Sequence, residues 1–279
     1  MKDKIAVLGP TGTFTDIATC KYIDHLGLDA GREFYTTMRK TFSAVGTDCK
    51  YGVIPIENTL DGYVQIILDL LALTELKVIH EIVLPIRFAF VANCASMEEV
   101  KTIYVQFKSE NQCTEFLEGL DGVDIITTAS NSQSYNNLLK DTTKAGAIIP
   151  MHMLEGQGSF PLVKSDVADS LDNHTRFIVI SKDLNVEVEA MKQWKTSIVV
   201  TGDNDRPGLL ADILGIFASN DINMKSIMSR PTKSGLGNYN FFIDIDGCYQ
   251  KDPDVRAAIR EVMDRYEIKI LGSFYRVGN

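Results

Sequence analysis

The chain has 279 residues, of which 45% are hydrophobic and 23% charged, and it carries a net charge of −9 at pH 7. These are the proportions of an ordinary globular protein of about two domains. The acidic balance argues against a nucleic-acid partner, which needs a basic face. An anionic metabolite stays compatible if helix N-termini and a placed arginine do the holding. The five cysteines are scattered, with no CxxC pair, and read as reduced thiols of a cytoplasmic protein rather than as zinc ligands. The opening MKDKIAVLGPTG has too short an apolar stretch for a signal peptide and reads as a first strand. No run of about 18 apolar residues points to a membrane span.

Taken in order, β-rich runs alternate with amphipathic helical patterns through residue 183. KIAVLG leads into a helix from Phe14 to His25, and YGVIPI leads into a helix from Thr59 to Leu73. LPIRFAFVA reads as one middle strand. VDIITTA precedes a helix through Tyr135 and Leu139, AGAIIP precedes a short segment, and TRFIVIS closes the series. This alternation predicts α/β units on mostly parallel sheets, with ligands outside the carboxyl ends of strands, where helices begin. From Lys182 to Lys195 the sequence turns charged and loses periodicity, which reads as a linker. Beyond it come a strand (TSIVVTG), a helix, two strands, a helix and a last strand (IKILGSFYR), a ferredoxin-like βαββαβ unit. The domains are therefore expected at 1–183 and 194–279.

Chemistry-bearing residues gather at the junctions. In Gly9–Thr15, two glycines permit a tight turn, and Thr11, Thr13 and Thr15 offer hydroxyls beside the free amides of a helix start, a cradle for a carboxylate. The loop lacks the lysine of a P-loop and the spacing of a dinucleotide loop. Pro55, Glu57, Asn58 and Thr59 cluster at a second junction, and Thr128, Ser130, Asn131 and Ser132 at a third. Before the last strand of the first domain, DNHTRF sets the Thr175 hydroxyl beside the Arg176 guanidinium; His174 is a candidate acid–base group that reads more simply as a solvated loop histidine. Singly, each cluster reads as a helix cap or a surface loop; three hydroxyl-rich junctions in one α/β domain point to a shared polar cleft. The four histidines lie on separate elements and form no metal set.

These segments, in this order, resemble the prephenate dehydratase family. GPTGTFT looks like its opening motif, VIPIENTLDGYV its strand and E-N-S/T segment, and DNHTRF its N-x-T-R-F signature. The tail resembles an ACT domain through DRPGLLADIL, IMSRP, NYNFFIDIDG and LGSFYR. The resemblance implies two α/β lobes like a type II periplasmic binding protein. It also implies a cofactor-free conversion of prephenate to phenylpyruvate in phenylalanine biosynthesis. Carried onto this chain, it gives Asn173, Thr175 and Arg176 as catalytic. Thr11, Thr13, Phe14, Glu57, Asn58, Thr59, Ser130, Asn131 and Phe177 become substrate-binding. Gly208, Leu209, Leu210, Asn223, Met228, Ser229 and Arg230 become the effector site, with phenylalanine as effector and a homodimer or homotetramer formed through the tail. Two departures stand out. Val105, Gln106 and Phe107 replace the family's Ser-His-Pro ahead of Gln112-Cys113, and Met228 and Leu209 alter the two effector motifs. Three other readings stand beside the dehydratase: a decarboxylase that keeps the ring hydroxyl, a non-catalytic amino-acid sensor, and an arogenate dehydratase.

Overall fold

The computed structural model describes residues 2–154, 159–183, 192–201, 206–232 and 238–278. The first lobe is built from β1 (Asp3–Leu8), α1 (Phe14–Leu26), β2 (Ala30–Tyr35), α2 (Met38–Ser43), β3 (Tyr51–Asn58), β4 (Gly62–Tyr63), α3 (Gln65–Leu73) and β5 (Lys77–Pro85). The second holds β6 (Phe88–Ala92), β7 (Thr102–Gln106), α4 (Phe107–Glu110), α5 (Thr114–Glu118), β8 (Asp124–Thr128), α6 (Asn131–Lys140), β9 (Ala145–Pro150) and β10 (Leu162–Ser165). β11 (His174–Ser181) then returns to the first lobe. The tail is β12 (Trp194–Val200), α7 (Leu209–Ser219), β13 (Met224–Pro231), β14 (Tyr239–Asp246), α8 (Pro253–Arg265) and β15 (Ile268–Arg276), which is the βαββαβ order.

The chain crosses between lobes twice, and the Ile86 amide donates to the Asn173 carbonyl where the crossings meet (2.7 Å). LPIRFAFVA is thus two strands in two sheets rather than one. The sheets are mixed rather than mostly parallel, because the returning β11 enters between β3 and β5 and runs antiparallel to both. In the second lobe β7 is parallel to β8 and β9, whereas β6 runs antiparallel to β9 and β10. The helix expected from Thr59 begins at Gln65. The Asn58 carboxamide oxygen accepts from the Leu60 and Asp61 amides (both 3.0 Å), and the turn so formed hands the chain to β4, a hairpin partner of β3. Of the expected linker, Trp194 and Lys195 belong to β12, and residues 184–191 lie outside the described residues.

The tail is not a separate bead. Its strands, ordered β13-β14-β12-β15, continue into the first lobe through a parallel pairing of β15 with β5, so that one ten-stranded sheet spans both domains. Gly272 makes this join possible. It has φ +151°, and a Cβ there would sit 2.1 Å from the Val78 carbonyl oxygen. α3 packs beneath the join, where Ile67 and Leu71 share a core with Val199, Phe242, Leu271 and Phe274 of the tail. Lys269 donates to the Leu71 and Ala72 carbonyls (3.2 Å each) and to that of Thr74, placing a cation on the C-terminal end of α3. No helix among the described residues is long and apolar enough to cross a membrane.

Candidate active site

Between the lobes lies a cleft of about 460 Å³. One wall is the loop from β1 to α1. Gly12 there has φ +82°, and its amide donates to the Asp16 carboxylate (2.8 Å), which Arg32 holds from behind (2.5 Å). The Thr13 hydroxyl accepts from the Asp16 amide (3.3 Å) as the N-cap of α1. Thr13 and Phe14 line the cleft; Thr11 does not, being exposed, with its carbonyl accepting from Ser132 of the second lobe (3.2 Å).

The second wall joins the ends of β3 and β11. The Asn58 amide donates to the Thr175 hydroxyl (3.0 Å), to Asn173 Oδ1 (2.7 Å) and to the His174 carbonyl (3.2 Å). Asn173, fully buried, donates in turn to Gln112 (3.0 Å). The Thr175 oxygen therefore has its acceptor side occupied by Asn58, which turns its own O–H toward the cleft. Phe177, two residues on, shares that face.

From the second lobe come Ser130, Asn131, Gln106, Lys108 and Ser109. Gln106 takes the polar role at the altered segment. Its side-chain oxygen accepts from the Lys108 and Ser109 amides (3.0 and 3.2 Å), capping α4, while the Ser109 hydroxyl donates to Asn131 (2.9 Å). Lys108, Ser109 and Gln112 were not expected at the cleft, and Gln106 only as a residue standing where the resembled family has a polar contact. The polar residues between Gln106 and Gln112 were their signal in the sequence.

Other expected residues lie elsewhere. Arg176 points away from the cleft, because strand alternation puts it on the face opposite Thr175 and Phe177. It meets Glu57 (3.2 Å), Glu81 (3.6 Å) and Asp244 of the tail (2.8 Å) and stands over the Tyr63 ring. Its cation neutralises Glu57, which does line the cleft. Asn173 is fully buried and is not among the residues that line the cleft. Thr59 is spent on the crossing, donating to the Asp172 carbonyl and accepting from the His174 amide (3.0 and 2.9 Å). His174 leans on the Asp172 carbonyl (3.1 Å), outside the cleft lining.

Within one protomer the expected effector residues lie on two parts of the tail, the start of α7 and β13 with the turn before it. Leu209 is buried in the core under α7 and α8, so it adds no bulk to a ligand site. Gly208 is the left-handed N-cap of α7, followed by the half-buried Leu210. Met228 packs into the core shared with α3, and Arg230 donates to both Asp69 oxygens (2.9 and 3.1 Å) and to Gln65 (2.8 Å). Both thus face the catalytic lobe. Ser229 is exposed on the other side of β13, and Asn223 donates to Asp246 (2.8 Å).

A two-lobed cleft with an oriented hydroxyl, joined sheet-to-sheet with a βαββαβ domain, is the arrangement of a small-molecule-binding α/β protein with a second, ferredoxin-like domain. A profile of the family described as prephenate dehydratase matches residues 5–185, and one of the ACT domain matches 196–262. The chain is 33% identical over 276 residues to a bifunctional chorismate mutase/prephenate dehydratase of Aquifex aeolicus, covering 98% of this chain and 74% of that one. It is 28% identical to a prephenate dehydratase of Bacillus subtilis, covering 97% and 98%. The structure of prephenate dehydratase from Arthrobacter aurescens in complex with L-phenylalanine superposes with a TM-score of 0.82 at 31% identity, covering 98% and 90%. The chain belongs to the prephenate dehydratase family and carries an ACT domain.

Proposed function

We propose that the cleft performs the decarboxylating dehydration of prephenate to phenylpyruvate, with Thr175 as proton donor. The bond from the ring carbon to its carboxylate breaks, and the released electron pair moves through the ring. The bond to the ring hydroxyl breaks in turn, and that oxygen takes a proton and leaves as water beside carbon dioxide. Aromatisation drives the step, and because the pair released with carbon dioxide expels the hydroxyl, no external oxidant or reductant is needed. A threonine hydroxyl is a weak acid in water, but against an oxygen gaining charge in a closed cleft it can donate, and solvent restores its proton afterwards. The observation that carries this reading is the Asn58–Thr175 hydrogen bond, which occupies the acceptor side of the hydroxyl and leaves its proton for the substrate.

Phe14, Phe88 and Phe177 supply an apolar seat for the ring. The ACT domain would bind an amino acid, phenylalanine first, since the Arthrobacter relative was solved with it. β13, which pairs only with β14 among the described strands, offers an edge for an isologous dimer that could double to a tetramer. Purified protein given prephenate should form phenylpyruvate, and Thr175→Val should lower kcat by about a hundredfold or more with the melting temperature unchanged. A product that retains the hydroxyl would indicate decarboxylation alone, and turnover of arogenate in preference to prephenate would reassign the substrate. Near-normal kcat in Thr175→Val would remove the threonine from the chemistry.

A further inference from the structure

Prephenate carries two carboxylates, yet the cleft is poor in positive charge. Of the described residues that line it, three are charged: Glu57, Asp61 and Lys108. Glu57 is held by Arg176 from behind (3.2 Å), and Arg176 itself does not reach the cleft. Lys108 is thus the single cationic side chain among those lining residues. It stands on the second lobe and reaches Asp61 of the first, with nitrogen and oxygen 3.4 Å apart. Both side chains are largely exposed, 62% and 49%, so this is a weak pair that screening and side-chain entropy nearly cancel. The backbone beneath Lys108 is, by contrast, fixed, because its amide is capped by Gln106. A fixed root and a loosely engaged head are what a ligand-exchanging cation needs.

We propose that Lys108 anchors a carboxylate of the substrate, leaving Asp61 as the substrate enters. A substrate carboxylate brings the same charge as Asp61 but lies inside the cleft, where water is excluded and a charge-assisted hydrogen bond is stronger. The exchange links the two lobes through the ligand instead of through Asp61. It supplies, from the position next to the altered Val105–Phe107 segment, a charged contact in place of a neutral polar one. Asp61 becomes a competitor: it holds the lysine in the empty cleft and repels the incoming dianion.

Steady-state kinetics with prephenate on Lys108→Met, Lys108→Arg and Asp61→Asn test this. Lys108→Met should raise KM by about tenfold to a hundredfold with kcat little changed, the effect of removing a charged partner that binds ground and transition states alike. Lys108→Arg should recover most of that loss. Asp61→Asn should lower KM, and the KM of the wild type should rise with ionic strength. An unchanged KM in Lys108→Met would overturn the assignment. So would an equal rise in Asp61→Asn, because a strut between the lobes fails whichever end is removed.

The inference rests on the cleft being a prephenate site, and the two fail separately. No phenylpyruvate from the wild type counts against the reaction. Calorimetric titration of prephenate into wild type and Lys108→Met then reads the anchor directly. Binding heat lost only in the variant supports it; equal heats, or none, overturn it.

Discussion

Arg176 sits where the two domains and the cleft meet, and its replacement should register in stability and in substrate binding together. Its side chain is 14% exposed, with Glu81 at 3% and Asp244 at 10%, and Lys195 is the other cation of the cluster, 2.7 Å from Glu81. Arg176→Met leaves one cation against three carboxylates. Removing one partner of a buried pair costs about 3–5 kcal/mol, which at a few degrees per kcal/mol lowers the melting temperature by about 6–20 °C. Arg176→Lys keeps the charge, but one ammonium cannot stand beside both Glu57 and Asp244 as Nε and Nη1 do, and losing the hydrogen bond to Asp244 costs about 1.5–3 kcal/mol. In the cleft, Glu57 loses its neutralising cation. At an effective dielectric of about 20, one uncompensated charge roughly 10 Å from an anionic substrate is worth about 1.7 kcal/mol, or about twentyfold in KM before salt screening. Asp244→Asn, far from the substrate, takes a competing carboxylate from the arginine and leaves it to Glu57, so KM should fall slightly rather than rise. Thermal melts and Michaelis kinetics on the three variants are the assay. A melting temperature of Arg176→Met within 2 °C of wild type, a shift smaller than one buried hydrogen bond is worth, would refute the reasoning.

Two further expectations concern regulation and pH. Arg230 ties β13 to α3 through Asp69 and Gln65, so Arg230→Gln should retain phenylalanine binding by calorimetry while the change in kcat/KM on saturation shrinks from the usual five- to hundredfold range toward none; full inhibition in the variant would place the coupling elsewhere. Burial, with Asp169 nearby, pushes the Cys113 thiol from 9.0 up to about 12. The folded chain keeps that proton where the unfolded chain loses it, so the contribution to stability is complete below pH 9 and falls as pH rises toward 12. Urea denaturation between about pH 8 and pH 10.5 should therefore show a shallower loss of stability in Cys113→Ala than in wild type, and identical slopes would discount it.

The elements legible in the sequence are those whose signals are local. α1 begins at Phe14 as its threonine cap announces, and the tail reads as βαββαβ because each strand and helix has its own period and boundary residues. The helix placed at Thr59 failed for a reason of the same scale. An asparagine whose oxygen takes two following amides makes a turn as readily as a cap, and the glycine at Gly62 already marked a hairpin. The sheet directions, and the splice of β15 onto β5, rest on where distant segments meet. Only Gly272, inside a strand-like run, hinted that another backbone comes close.

The site divides along the same line. Strand alternation alone puts Thr175 and Phe177 on one face and Arg176 on the other, so the threonine–arginine pair need not act on one ligand. What that alternation does not tell is what waits on the far face. The answer is Asp244, 68 positions away, and with it a reason for arginine at this place that has nothing to do with gripping a substrate. Adjacent residues of one strand thus serve two domains: Thr175 faces the cleft and Arg176 faces the βαββαβ domain. Glu57 touches both the cleft and the arginine, so a shift of β14 by a fraction of an ångström alters the charge that the substrate meets. Coupling between an effector and the cleft then needs no long relay: a movement of β13 and β14 would reach α3 through Arg230–Asp69 and Glu57 through Arg176–Asp244.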